Sequence, residues 1–243
     1  MRMMRQIVLF LISFVAVTAS AQNITEKDVA YGKHERNKLD FWKAKSSSRT
    51  PVFIFFHGGA FKKGDKNRIS HAIDINEYLK KGISCITVNY PFLQHVDNNY
   101  SKIMEHCEDA LKFIKKNASK WNIDTKKIAV AGSSAGALIT QYLGYKGKGI
   151  SVMGSFQQPI GTAHFSLPHI KRSSPPIMIY QRSSTSDKIH HPKYAQMVKD
   201  TCDKKKAECV LYGTDANGLP KVPSGKSYKE VMLEFFLEKW KMK

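Results

Sequence analysis

Three short stretches of this sequence carry residue types that do chemistry. The first is VAGSSAGA, Val130 to Ala137, where Ser134 occupies the centre of a G-x-S-x-G pattern directly after an apolar run. A serine nucleophile at a strand-to-helix turn needs small neighbours, so that the chain bends sharply and lifts Oγ clear; Gly132, Ala135 and Gly136 meet that need. The same letters also fit a helix N-cap, where serine is favoured. The second stretch, HGGAF from His57 to Phe61, follows another apolar run. A glycine-rich turn there aims backbone N–H groups at one point. With the N–H of Ala135, the amides of Gly59 and Ala60 suit the oxyanion that forms when a serine attacks a carbonyl. The third, SSTSDKIHHP, holds Asp187, His190 and His191 in a loop after an apolar run, where the same residues also read as a solvated turn.

The elements that must position these stretches are legible from their patterning. VFIFF, ISCITVNY, KIAVAG, GISVMGSF, PPIMIYQ and ECVLYG are apolar runs without polar alternation, as expected of strands covered on both faces. An earlier strand is expected in NKLDFWKA. Helical stretches fall between them: around 70–81, over 100–121 with Ile103, Cys107, Ala110, Leu111 and Ile114 on one face, from Ala135 onward, and near 193–204. A last helix carries Val231, Phe235, Phe236 and Trp240 on one face. Alternating strands and helices predict an α/β fold with a mostly parallel, doubly wound sheet, and sites in such sheets form at the carboxyl ends of the strands. His57-Gly58-Gly59 and Ser134 fall there.

HGGAFKKGDK, NIDTKKIAVAGSSAGA and the strand order together resemble the α/β-hydrolase superfamily. Within it, the chain is most similar to the small carboxylesterase branch that carries an H-G-G motif, with hormone-sensitive-lipase-like and feruloyl-esterase-like members. The likeness runs from about Lys38 to Trp240. It implies an α/β-hydrolase fold with a minimal lid, Ser134 as nucleophile, and Gly58, Gly59, Ala60 and Ala135 in the oxyanion-hole positions. It further implies hydrolysis of a small-molecule ester or related acyl substrate, without metal or organic cofactor. The brief connection from Gln157 to Ser174 favours short or soluble esters, with Phe61, Phe92, Phe156 and Phe165 as candidate lining and His164 and His169 above the site. Counted along the family pattern, the acid falls near Thr185, and a short insertion brings Asp187 into that role. The histidine position is occupied by Asn217, in CVLYGTDANGLP, and no histidine follows His191. Asparagine cannot take the serine proton at neutral pH. Two expectations stand side by side: a relocated base, His190 or His191, giving an atypical triad; or a non-catalytic member that keeps the fold to bind a ligand.

Residues 1–21 read as an export signal, with Arg2 and Arg5, an apolar core from Ile7 to Val17, and Ala19-Ser20-Ala21 as cleavage site; residues 22–243 then form one domain. The apolar core is shorter than the ~20 residues that span a bilayer, so an exported chain without a membrane anchor is expected. The formal charge is +19. Its lysines are scattered, without the aromatic-interleaved basic motif of a nucleic-acid module, so no specific nucleic-acid partner is expected. Oligomeric state stays open. Of the four cysteines, Cys85 and Cys107 fall on buried faces, while a disulfide between Cys202 and Cys209 stays open.

Overall fold

The computed structural model describes residues 23–242, so the expected export signal lies outside the described residues. In chain order the elements are β1 (Glu26–Ala30), β2 (Lys38–Trp42), β3 (Thr50–Phe56), α1 (Ile69–Ala72), α2 (Ile75–Lys80), β4 (Ser84–Val88), α3 (Tyr100–Lys116) and α4 (Ala118–Trp121). There follow β5 (Ile123–Ser133), α5 (Ala135–Tyr145), β6 (Val152–Phe156), α6 (Thr162–Phe165), β7 (Ile177–Tyr180), α7 (Lys193–Lys205), β8 (Cys209–Tyr212) and α8 (Tyr228–Lys239). The strands form one sheet in the order β1-β2-β4-β3-β5-β6-β7-β8. From β4 to β8 every pairing is parallel, and β1 and β2 add an antiparallel edge.

The missing polar alternation has a simple cause. In β3, Val52, Ile54 and Phe56 enter one core with Ile103, Cys107 and Ile114 of α3 and Leu138 and Ile139 of α5. Phe53 and Phe55 enter the other, with Tyr78 of α2 and Met232 and Phe236 of α8. Both faces of the sheet are covered, so neither needs polar residues. The doubly wound α/β arrangement is therefore as the sequence implies, and it is an α/β-hydrolase fold.

The helices are more divided than the patterning predicts. The stretch 70–81 breaks after Ala72, because the side chain of Asp74 accepts the N–H of Asn76 (2.9 Å) and starts α2 afresh as its N-cap. The stretch 100–121 breaks at Asn117, whose Nδ2 donates to the carbonyl of Phe113 (2.9 Å). Strand β1 is not visible in the patterning. It is a mostly polar edge strand paired only with β2, and ionic and hydrogen-bonded contacts help tie it to the rest: Lys66 Nζ bridges Asp28 (2.9 Å) and the fully buried Asp40 (2.6 Å), and Trp121 Nε1 donates to Glu26 (2.8 Å). All four cysteines are buried free thiols, so Cys202 of α7 and Cys209 of β8 are not bonded as a disulfide. Among the described residues no helix is long and apolar enough to cross a membrane.

Register brings the chemical stretches together. Phe56 pairs with Gly132, Ser133 with Phe156, and Phe156 with Tyr180, so the segments leaving β3, β5, β6 and β7 start from one line at the carboxyl edge.

Candidate active site

Ser134 stands between β5 and α5 with φ 54 and ψ −117, a conformation that is costly for any residue with a side chain. Its surroundings hold it there. The Ser134 N–H donates to the carbonyl of Phe156 (2.9 Å), and its own carbonyl accepts from Ala137 (2.8 Å). The flanking glycines are required by close approach: a Cβ on Gly132 would lie 2.1 Å from the carbonyl oxygen of Gly136, and one on Gly136 2.0 Å from that of Phe56. The turn therefore packs directly on the end of β3, which the small-residue pattern implies without naming the partner.

His190 lies within hydrogen-bonding reach of Ser134, with Oγ 2.8 Å from Nε2. Behind it, His190 Nδ1 faces Asp187 Oδ2 at 3.3 Å. Carboxylate and imidazole come from the same loop after β7, three residues apart. Asp187 Oδ1 accepts the backbone N–H groups of His190 (2.8 Å) and Ile189 (2.9 Å), and Oδ2 accepts the Ser183 hydroxyl (2.8 Å). The N–H of His190 first and then the Ser183 hydroxyl, with a lesser part from the N–H of Ile189, hold the Asp187 pKa down at about 2 against the opposing effect of burial. The carboxylate thus shapes the turn and keeps its charge while facing the ring. His191 is engaged elsewhere, its Nδ1 accepting the N–H of Lys193 at the start of α7 (3.0 Å).

Asn217 does not face Ser134. Its Nδ2 donates to the carbonyls of Gln181 (2.7 Å) and Ser183 (3.1 Å), and its Oδ1 accepts from the N–H of Thr214 (3.0 Å) and Leu219 (3.2 Å). It ties the loop after β8 to the loop that bears Asp187 and His190. Two glutamines complete this support, and sequence reasoning missed both. Gln157 Oε1 accepts from the N–H of Arg182 (2.7 Å), while its Nε2 donates to Ser183 Oγ (2.7 Å), the hydroxyl that reaches Asp187. Gln181 is fully buried; its Oε1 accepts the N–H of Gln158 (2.6 Å) and its Nε2 donates to the carbonyl of His190. Their only signal in the sequence is position, each being the first residue beyond a buried strand or immediately after it.

The His57 turn closes the other side. A Cβ on Gly58 would come within 2.6 Å of the Ser133 carbonyl oxygen and 3.2 Å of Ser134 Cβ, so the two turns are in contact. Gly59 (φ 124) and Ala60 (φ 54) both take positive φ, which rotates successive peptide units, and the N–H groups of Gly59, Ala60 and Ala135 make no hydrogen bond among the described residues. Gly59 and Ala60 line the same cavity as Ser134, and Ala135 directly follows Ser134 as the first residue of α5. His57 is structural: its Nδ1–H donates to the Gly58 carbonyl (2.8 Å), its ring stacks on Tyr90 with centroids 4.4 Å apart, and burial pushes its pKa down to about 4.

Ser134 and His190 open into a cavity of about 410 Å³ that also includes Gly58, Gly59 and Ala60. Phe55, Phe156, Tyr180 and Tyr228 supply its aromatic wall, with the Tyr180 and Tyr228 rings stacked 4.5 Å apart. Of the four phenylalanines expected at the site, Phe156 alone lines it; Phe61 instead packs with Tyr100 and Phe165. His164 and His169 do not reach the cavity. Among the described residues no His, Cys, Asp and Glu group is arranged to hold a metal ion.

The chain is also similar to known proteins. The chain is 27% identical over 123 residues to esterase LipC of Mycobacterium tuberculosis, covering 50% of this chain and 30% of LipC. It is 32% identical over 124 residues to a kynurenine formamidase of Debaryomyces hansenii, covering 48% of this chain and 39% of that enzyme. The chain thus spans well under half the length of these relatives. In three dimensions it superposes on a truncated carbohydrate esterase from gut microbiota with a TM-score of 0.73 at 16% identity, covering 88% of this chain and 95% of that one. Residues 39–206, more than half of the sequence, match the BD-FAE family, and the chain belongs to that family of α/β-hydrolase-fold proteins.

Proposed function

We propose that this protein is a serine hydrolase of carboxylesterase type with its base relocated to the acid loop. The observation that carries the reading is the 2.8 Å contact between Ser134 Oγ and His190 Nε2, backed by Asp187. With the proton of neutral His190 on Nδ1, toward the carboxylate, Nε2 presents a lone pair to the serine hydroxyl. Ser134 Oγ attacks the acyl carbon as its proton passes to Nε2. The oxyanion is held by the N–H groups of Gly59, Ala60 and Ala135, a kind of stabilisation worth ~10²- to 10³-fold in rate per donor. The imidazolium, stabilised by Asp187, returns the proton to the leaving alcohol. Water then repeats the sequence, with His190 as base, and releases the acid. No metal or organic cofactor is needed for these steps.

The alternative is a non-catalytic member that keeps the fold to bind a ligand; the contact of His190 with Ser134 supports the hydrolase reading over it. The open cavity and short connection after β6 favour short or soluble esters. The 21-residue leader supports export, with a mature chain starting at Gln22; N-terminal sequencing of the secreted protein tests this, and an intact Met1 in the cell fraction would refute it. For the hydrolase reading, a fluorophosphonate probe should label wild type and not Ser134→Ala. Equal labelling of both, or of neither, would overturn it.

A further inference from the structure

The charge around the cavity is one-sided. Three cationic residues line it, Lys63, Arg68 and Arg182, each exposed to solvent, and no aspartate or glutamate does. Asp187 stands behind His190, its oxygens taken up by two backbone N–H groups and Ser183. The three cations come from different segments: Lys63 just after the His57 turn, Arg68 immediately before α1, and Arg182 just after β7. None has an ion-pair partner among the described residues. Lys66, only a few positions from Lys63 and Arg68, is by contrast neutralised by Asp28 and Asp40.

The guanidinium groups also act on the site. The charge of Arg182 opposes the rise that burial imposes on the phenol of Tyr228 in the aromatic wall, and Arg68 adds to the fall that burial imposes on His57. Unpaired cations around a cavity with apolar walls raise the local concentration of anions. Arginine presents a planar fork that matches a carboxylate with two parallel hydrogen bonds.

We propose that the substrate of this site carries a carboxylate close to its scissile ester, received by Arg68, Arg182 and Lys63. The inference rests on the hydrolase reading and specifies its substrate class: an anionic ester, with the aromatic wall taking the uncharged part.

Matched pairs of esters test it. One pair places the charge on the acyl side, mono-4-nitrophenyl adipate against its methyl ester. The other places it on the alcohol side, 3-acetoxybenzoate against 3-acetoxybenzamide. Each rate is divided by the spontaneous rate of the same ester. At low salt at least one anionic member should exceed its neutral partner in kcat/KM by about tenfold or more, the scale of one or two charge-assisted hydrogen bonds. That ratio should fall several-fold in Arg68→Ala/Arg182→Ala, and also in wild type when salt is raised to ~1 M, where the screening length is ~3 Å. A ratio near one in both pairs, with turnover that still requires Ser134, would overturn the inference and leave the hydrolase reading standing. A second measurement is independent of turnover: calorimetric binding of 3-acetoxybenzoate and 3-acetoxybenzamide to the Ser134→Ala protein. Binding of the carboxylate about tenfold tighter than the amide supports the anion subsite even if no ester is hydrolysed, an outcome that would overturn the hydrolase reading alone; equal binding overturns the subsite.

Discussion

Asn217 is where the two functional readings diverge, and its replacement gives the sharpest structural prediction. In Asn217→Ala four hydrogen bonds are lost: the carbonyls of Gln181 and Ser183 lose a donor, and the N–H groups of Thr214 and Leu219 lose an acceptor. A net contribution of about 1 kcal/mol per bond sets an upper range near 4 kcal/mol. The residue is half-buried. Water therefore reaches part of the vacated site, and a loss of about 2–3 kcal/mol is expected in urea unfolding. Because the freed carbonyls belong to the loop that positions Asp187 and His190, kcat on a 4-nitrophenyl acyl ester should fall about 10- to 100-fold, as a displacement near 1 Å does. Asn217→Asp keeps Oδ1 but turns a second oxygen toward two carbonyl oxygens, so it should be at least as damaging. Asn217→His should gain nothing, because an imidazole cannot make the four contacts and the base is already supplied. A tenfold rise in activity in Asn217→His, or a stable and fully active Asn217→Ala, would refute this account of the loop.

Asp187→Asn should lower kcat by about 10²- to 10⁴-fold with a smaller change in KM, since the group supports the imidazolium rather than the substrate; a change under threefold would remove Asp187 from the mechanism. Ser134→Gly should be about 1–2 kcal/mol more stable than Ser134→Ala in urea, because only glycine relieves the φ 54, ψ −117 backbone, whereas equal stabilities would mean the turn is unstrained. His57, lowered to about 4 by burial, makes the protein acid-sensitive. Its unfolded pKa is higher, so its contribution is full above about pH 6.5 and is lost as pH falls toward 4, up to about 3 kcal/mol. Urea midpoints measured from pH 7 to 4 should show that loss in wild type and less of it in His57→Gln.

How much of this was legible in the sequence follows from where each signal resides. Unbroken apolar runs define β3 to β8 because burial on both faces is a property of composition. The polar strand β1 has no such signature, since Asp28, Asp40 and Lys66 join it through a contact distant in sequence. Helix breaks at Asp74 and Asn117 depend on side-chain capping, which periodicity does not register. The Ser134 and His57 turns were readable because a close backbone approach admits only small residues. His190 was one of two candidates, and no sequence pattern separates it from His191; the choice is made by Asp187, whose Oδ1 folds the turn so that the His190 ring faces Ser134. Asn217, Gln157 and Gln181 were invisible as supports because an amide reveals its role only through the carbonyls and N–H groups it meets.

The central claim is that His190 is the general base for Ser134. Its most direct test is kcat/KM for wild type and His190→Ala on one short 4-nitrophenyl ester, with folding of both checked by urea unfolding. The account requires a fall of about 10⁴-fold or more in a protein that remains folded, comparable to loss of the base in model serine proteases. A folded His190→Ala protein within threefold of wild type would contradict it.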